Sequence, residues 1–233
     1  MGHLPIFLNL KGRRCVVIGG GEVAERKVLM LLEAGAQVRV VSPHLGPGLR
    51  QLKEANVMEY RARPWEPGDL KGFAIAFAAT DDSGVHRAIA AEARSLGVLL
   101  NVADEPELCD FIAPSVVRRG DLQIAISTSG ASPALASRIR RDLEEIFGPE
   151  YEAVTRILRS ARSYLRETER DAKVRARLAQ AVAFSDLAMY VRDGDWLSVD
   201  SLLIAHLGVG LARLGLKPEE LSGAGSSEVP RSA

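Results

Sequence analysis

Residues 16–27 read VVIGGGEVAERK. Val16, Val17 and Ile18 are apolar and β-branched, as suits a buried strand. They run straight into Gly19, Gly20 and Gly21, and then into helix formers. Gly19, Gly21 and Ala24 match G-x-G-x-x-G/A. In that pattern the first glycine permits a tight turn, the second lets a pyrophosphate approach the backbone, and the small third residue lets the helix pack on the sheet. The free N–H groups and positive dipole end of such a helix attract phosphates. The same glycines would also serve a tight strand–helix turn that binds nothing, so the surrounding pattern decides the reading.

Working outward, apolar spacing predicts strands at 14–18, 37–41, 57–62, 73–78 and 98–102. Helices are predicted at 23–34, 49–55 and 83–96, with Gly35 and Gly97 as stops. FAIAFA at 73–78 is apolar on both faces, like a central parallel strand. This alternation predicts an α/β fold, a Rossmann-like doubly wound parallel sheet over 1–112.

Beyond it, strands at 115–119 and 122–127 flank Gly120-Asp121 as a hairpin. A helix at 133–147 follows, with Ser132 as N-cap, Pro133 at N1 and Leu135, Ile139, Leu143 and Ile146 on one stripe. These residues make 113–149 a small β/α connecting region. The segment 150–215 reads as a helical domain, with Tyr151, Val154, Ile157, Leu158, Ala161 and Leu165 as an apolar stripe. The polar stretch 216–233, rich in Pro, Gly and Ser, is expected to be a disordered tail.

Composition excludes several classes. The chain has 233 residues, 47% hydrophobic and 26% charged, with 30 basic residues against 30 acidic ones. A net charge of zero gives no footprint for nucleic acid or an anionic membrane. No apolar run is long enough to span a bilayer, and MGHLPIFLNLKGRR carries its charges after the apolar stretch, unlike a secretory signal. Cys15 and Cys109 form no CxxC, and the four histidines have no metal-ligand spacing. The expectation is a cytoplasmic protein with no resident metal site.

A dinucleotide-binding turn normally has an acidic ribose ligand about 20 residues on. Here Ser42-Pro43-His44 follow the second strand instead, and Ser42 is the group able to hydrogen-bond a ribose. Arg39 alternates with Val38 and Val40 inside the strand and is not placed to receive a 2′-phosphate, so the cofactor is expected to be NAD rather than NADP. The candidate cofactor residues are Gly19, Gly20, Gly21, Glu22 and Val23 at the turn, with Ser42 and Pro43 after the second strand. Thr80 and Asp82 after the fourth strand, and Asn101 and Val102 at the fifth, complete the set. Asp82 also reads as a helix N-cap.

HLPIFLNLKGRRCVVIGGGEVAERK at 3–27, AATDD at 78–82, NVADEPELCDFIAPS at 101–115 and STSGASPALA at 127–136, in this order, resemble the precorrin-2 dehydrogenase family. The same module forms the N-terminal part of multifunctional siroheme synthase. The resemblance runs from His3 to about Phe147 and continues more loosely through the helical region. It implies NAD-dependent oxidation of precorrin-2 to sirohydrochlorin in siroheme biosynthesis, and some members also insert Fe²⁺ to give siroheme. It further implies a homodimer, with the region after the nucleotide domain exchanged between subunits. The methyltransferase part of siroheme synthase would need a few hundred more residues and is expected in another protein.

By the same resemblance Asp104 matches the catalytic aspartate; its residue type alone would make it a turn former before Glu105-Pro106. One carboxylate there would serve both proton removal during oxidation and N–H deprotonation during metal insertion. His86 departs from the asparagine common in the family and reads as a packing or surface residue, outside the catalytic set. Ser127, Thr128, Ser129, Gly130 and Ser132 form a small-residue loop entering a helix, suited to the substrate carboxylates, with Arg118 and Arg138 as cationic partners. Arg140 and Arg141 read as a solvated helix face. Two other readings use the same glycine turn: a dehydrogenase of another small substrate, and a non-enzymatic dinucleotide sensor. For a DNA-binding sensor the Arg-rich stretch 156–177 is broken by Glu167, Glu169 and Asp171.

Overall fold

The structure, a computed structural model, describes residues 2–222. The chain divides into two compact units, Met1–Ala113 and Pro114–Ala233.

The first unit is built on five parallel strands in the order β3-β2-β1-β4-β5. They are β1 (Arg14–Ile18), β2 (Gln37–Val41), β3 (Glu59–Arg61), β4 (Ile75–Ala78) and β5 (Leu99–Val102). Three helices alternate with them: α1 (Glu22–Glu33), α2 (Pro47–Glu54) and α3 (Ser83–Leu96). The period of two along β1 explains the layering. Cys15 and Val17 face one core with Ala24, Val28 and Leu31 of α1 and Leu49 of α2. Val16 and Ile18 face the opposite core with Ile89, Ala90 and Ala93 of α3. Phe77 of β4 is 1% exposed, and its ring meets Phe111 edge-on with centroids 5.4 Å apart, a geometry worth about 1 kcal/mol beyond area burial.

Arg39 donates to Glu59 at 2.8 Å and lies 4.9 Å from the Phe73 ring, which keeps it on the sheet, as its alternation with Val38 and Val40 implied. With Arg14, Glu59, Asn56 and Phe73 it lines a depression of about 340 Å³ at the amino-terminal ends of the strands, away from the glycine turn.

A half-buried ion pair sits beside this sheet. Arg63 donates to both oxygens of Asp69, at 2.8 and 2.7 Å, and the Glu66 amide donates to the same carboxylate at 2.9 Å. The hydrogen bonds from Arg63 hold the Asp69 carboxyl below its ordinary value of 3.8. A carboxylate depressed in the folded state stabilises the protein above its unfolded value and loses that contribution as pH falls through it. Asp69→Asn is therefore expected to lower the melting temperature at neutral pH, and the gap from wild type should close on acidification below about pH 4. Thermal unfolding of both proteins across that range checks it; a gap independent of pH would contradict it.

In the second unit β6 (Ser115–Arg119) pairs antiparallel with β7 (Leu122–Ile126), followed by α4 (Pro133–Ile146). Arg119 ties the hairpin to this helix by donating to the carbonyls of Phe147 at 2.8 Å and Glu144 at 3.2 Å, unsatisfied acceptors of the last turn. Helices α5 (Glu150–Thr168), α6 (Ala172–Ala183), α7 (Leu187–Asp193), α8 (Trp196–Leu207) and α9 (Pro218–Ser222) complete the unit. Its core gathers Val154, Ile157, Val182, Leu187, Val199 and Leu203.

One expectation is corrected. The tail does not begin at residue 216: Leu216 and Leu221 are buried in this core, and Pro218 opens α9. Two leucines at that spacing supply the apolar anchors that the polar composition hid, while the rest of the expected tail, 223–233, lies outside the described residues. The apolar stripe of α4 is only half used within the chain, with Leu135 48% and Ile146 63% exposed. Among the described residues no helix is long and apolar enough to cross a membrane.

Candidate active site at the carboxyl edge of the parallel sheet

All strands of the first sheet run the same way, so the residues that follow them meet at one edge. Gly19 to Val23 follow β1, Ser42 and Pro43 follow β2, Thr80 and Asp82 follow β4, and Asp104 lies just past β5. Ligands of open α/β sheets bind at this edge, near the point where strand order reverses. Here that point lies between β1 and β4, whose chain order departs in opposite directions.

The glycine turn is tight for reasons visible in its neighbours. A Cβ on Gly19, at φ +128°, would stand 2.1 Å from the Ala79 carbonyl oxygen, and one on Gly20 would stand 1.9 Å from that of His44. Gly21 differs, because a Cβ there would meet nothing within 4 Å. Gly21 is the N-cap of α1, and no side chain caps that helix, which leaves its first N–H groups for a ligand. By contrast Asp82 caps α3, accepting from the amides of Gly84 at 2.8 Å and Val85 at 3.2 Å. Thr80 Oγ1, just after β4, is buried without a hydrogen-bond partner. An open backbone, uncapped amides and an orphaned hydroxyl fit a dinucleotide.

Three of the expected cofactor residues make contacts within the chain. Ser42 is buried and donates its hydroxyl to the His44 carbonyl at 2.7 Å. Asn101 donates its amide to the Phe111 carbonyl at 2.9 Å, and Val102 is buried in the core. The Ser42 and Asn101 side chains thereby tie down the loops that follow β2 and β5.

Asp104 is exposed and has φ +60°, a left-handed conformation that Asp and Asn tolerate better than other residues with a Cβ. The neighbouring Glu105 carboxylate lies 2.6 Å from Nδ1 of His86, which is 4% exposed on α3. Sequence reasoning missed this pair. Its one signal was the position of His86, one turn past the Asp82 cap and so close to the same edge.

Cys109 is caged in the loop that follows. Its sulfur accepts from the Val102 amide at 3.1 Å and approaches the carbonyls of Val102 and Glu105 at 3.3 and 3.4 Å. Burial pushes its thiol up, and pushes that of Cys15 up to about 11. Thiolate is the reactive form, so both cysteines are expected to react with a disulfide reagent far more slowly in the native protein than in denaturant. Rapid labelling of native Cys109 would contradict this.

In the second unit, the loop 127–132 makes its own scaffold. Ser129 N donates to Ser127 Oγ, Ser132 N to Thr128 Oγ1 and Leu135 N to Ser132 Oγ, at 3.0, 3.0 and 3.2 Å. The hydroxyl oxygens accept, which leaves their O–H groups to donate outward. Ser129 and Gly130 both have positive φ, at 51° and 85°. Arg138 is exposed beside Asp142, and Arg140 pairs with Glu144 on the solvated face. Arg118 lies in β6, half-buried. Among the described residues no group of three or more His, Cys, Asp and Glu stands together as a metal site.

This architecture has known relatives. Residues 6–115 match the family described as putative NAD(P)-binding, and residues 119–146 match the sirohaem biosynthesis protein central family. The siroheme synthase of Chromobacterium violaceum is 40% identical over 195 residues, covering 84% of this chain and 42% of that protein. That of Pseudomonas aeruginosa is 36% identical over 228 residues, covering 98% of this chain and 49% of that protein.

The chain resembles siroheme synthase over part of that protein's length.

It spans less than half the length of those two relatives. Among solved structures, that of SirC, precorrin-2 dehydrogenase, superposes with a TM-score of 0.67 at 25% identity, covering 82% of this chain and 96% of that one. The match to the putative NAD(P)-binding family and the SirC superposition support the Rossmann-like sheet and NAD(P) binding by the first unit.

Proposed function

We propose that this chain oxidises precorrin-2 to sirohydrochlorin with NAD⁺, with Asp104 as the proton acceptor. The observation that carries the reading is the exposed carboxylate of Asp104, held at φ +60° on the same sheet edge as an uncapped glycine turn. Asp104 and the turn follow strands two places apart, a span of about 10 Å at the usual strand spacing.

Gly19, Gly20 and Gly21 shape the turn, the α1 amides hold the pyrophosphate, and Glu22 and Val23 open that helix. Thr80 Oγ1, buried and without a partner, donates to the same ligand, and Pro43 lines its exposed side. When bound, NAD⁺ supplies the acceptor for the hydride that the tetrapyrrole loses. Asp104 takes the proton that leaves with it, so the substrate gives up two electrons and two hydrogens in all. The O–H groups of Ser127, Thr128 and Ser132, with Ser129 and Gly130 in the same loop, hold the carboxylates of the tetrapyrrole, and Arg118 and Arg138 add charge.

Fe²⁺ insertion into sirohydrochlorin is proposed as a second activity, with Fe²⁺ as substrate and Asp104 accepting the N–H protons that the metal displaces. A homodimer is proposed because Leu135 and Ile146 leave an apolar stripe of α4 exposed in the single chain. A cytoplasmic location is proposed with it.

Anaerobic incubation with precorrin-2 and either NAD⁺ or NADP⁺ tests the reading. Reduction of NAD⁺ that depends on precorrin-2 is expected. Equal or faster turnover with NADP⁺ would overturn the cofactor choice.

A further inference from the structure

The His86–Glu105 contact has no part in the roles above. His86 is buried, its Nδ1 is 2.6 Å from Glu105 Oε1, and its Nε2 is buried without a hydrogen-bond partner. The contact is a hydrogen bond in the tautomer that carries its proton on Nδ1. Glu105 is in turn held by its own backbone: its carbonyl accepts from the Leu108 amide at 3.1 Å and from the Cys109 thiol at 3.4 Å. The residue immediately before it is Asp104, in a left-handed conformation that is less favourable than the ordinary one even for Asp, which tolerates it best after Gly and Asn. His86 itself is fixed by α3, its amide donating to the carbonyl of the Asp82 cap at 3.1 Å.

We propose that His86 is a positioning residue that acts through Glu105 to pin the turn presenting the Asp104 carboxylate. A rigid helix thereby clamps a short loop at one point, and the strained residue lies directly beside the clamp. A buried histidine whose contact contributed only packing would not need its one hydrogen bond to fall on the residue next to the strained turn. The proposal rests on the role given to Asp104 above, and its test separates the two.

His86→Ala removes the donor, Glu105→Ala the acceptor, and His86→Asn keeps an N–H near the position of Nδ1. Displacing a catalytic group by about 1 Å costs up to about 10²-fold in rate. The expected result is a kcat for precorrin-2 oxidation about tenfold or more lower in both alanine variants, with KM for NAD⁺ changed by no more than about twofold. The double alanine variant should lose no more than either single one, and His86→Asn should recover most of the rate. Amide hydrogen exchange across 103–108 should quicken in the alanine variants and stay as wild type in His86→Asn, with the amides of β1 unchanged.

Wild-type kcat in His86→Ala, or losses that add in the double variant, would overturn the proposal. If His86→Ala does not fold, Glu105→Ala, whose side chain is partly exposed, carries the same comparison. If the wild type oxidises no precorrin-2, the functional reading fails, and hydrogen exchange alone still decides whether the pair pins the turn.

Discussion

Asp104→Asn is expected to leave the protein folded and able to bind NAD⁺ while lowering precorrin-2 oxidation by a factor of about 10²–10⁴, the range that a positioned general base contributes. Asparagine is the informative replacement because the position has φ +60° and Asn, like Asp, tolerates the left-handed region. Only the carboxylate chemistry is then removed. Asp104→Ala mixes in backbone strain of about 1–2 kcal/mol and blurs the reading. Steady-state rates beside equilibrium NAD⁺ binding separate the two effects. Full activity in Asp104→Asn would reduce Asp104 to a turn former.

The glycine turn carries the second large effect, and its three members should behave differently. Gly19→Ala sets a methyl 2.1 Å from a backbone carbonyl oxygen at φ +128°, and Gly20→Ala sets one 1.9 Å from another. Neither neighbour is the end of a flexible side chain, so backbone has to shift between β1 and the loops that follow β2 and β4. Each variant is expected to lose about 3 kcal/mol or more of stability, measured by denaturant unfolding. Gly21→Ala meets nothing within 4 Å and has an ordinary φ of −86°. Its stability should match or slightly exceed wild type, by up to about 1 kcal/mol. Its NAD⁺ affinity should fall about tenfold, or about 1.4 kcal/mol, because the methyl fills the approach to the α1 amides. Equal losses of stability across all three would mean that the turn is structural only.

The sheet was legible because its strands carry their burial in short apolar runs. RCVVI needs no partner to be recognised, and the Asp82 and Ser132 caps sit where their residue types indicate. Edges were read less well. The helix expected from 49 begins at Pro47, which takes a favoured first-turn position, and β3 shrinks to Glu59–Arg61 because Asn56 takes a left-handed φ and Val57 is left 47% exposed.

The glycine turn was legible in its spacing, Asp104 only through the family resemblance, and the partners of the polar side chains hardly at all. Ser42 and Asn101 have the chemistry of ligand contacts, but the carbonyls of His44 and Phe111 need donors and take theirs. A sequence shows a polar residue at a strand end without showing whether its partner is protein or ligand. The His86–Glu105 contact was invisible for a related reason. It joins residues far apart in the chain, and its meaning depends on the backbone of a third.

The most direct test of the account is a single-turnover reaction under anaerobic conditions, with precorrin-2 limiting and NAD⁺ in excess, followed by absorption for both products. Sirohydrochlorin and NADH should appear together, at the same rate and in equal amounts. Tight NAD⁺ binding with no sirohydrochlorin would contradict it and leave a dinucleotide-binding protein whose edge carboxylate serves some other purpose.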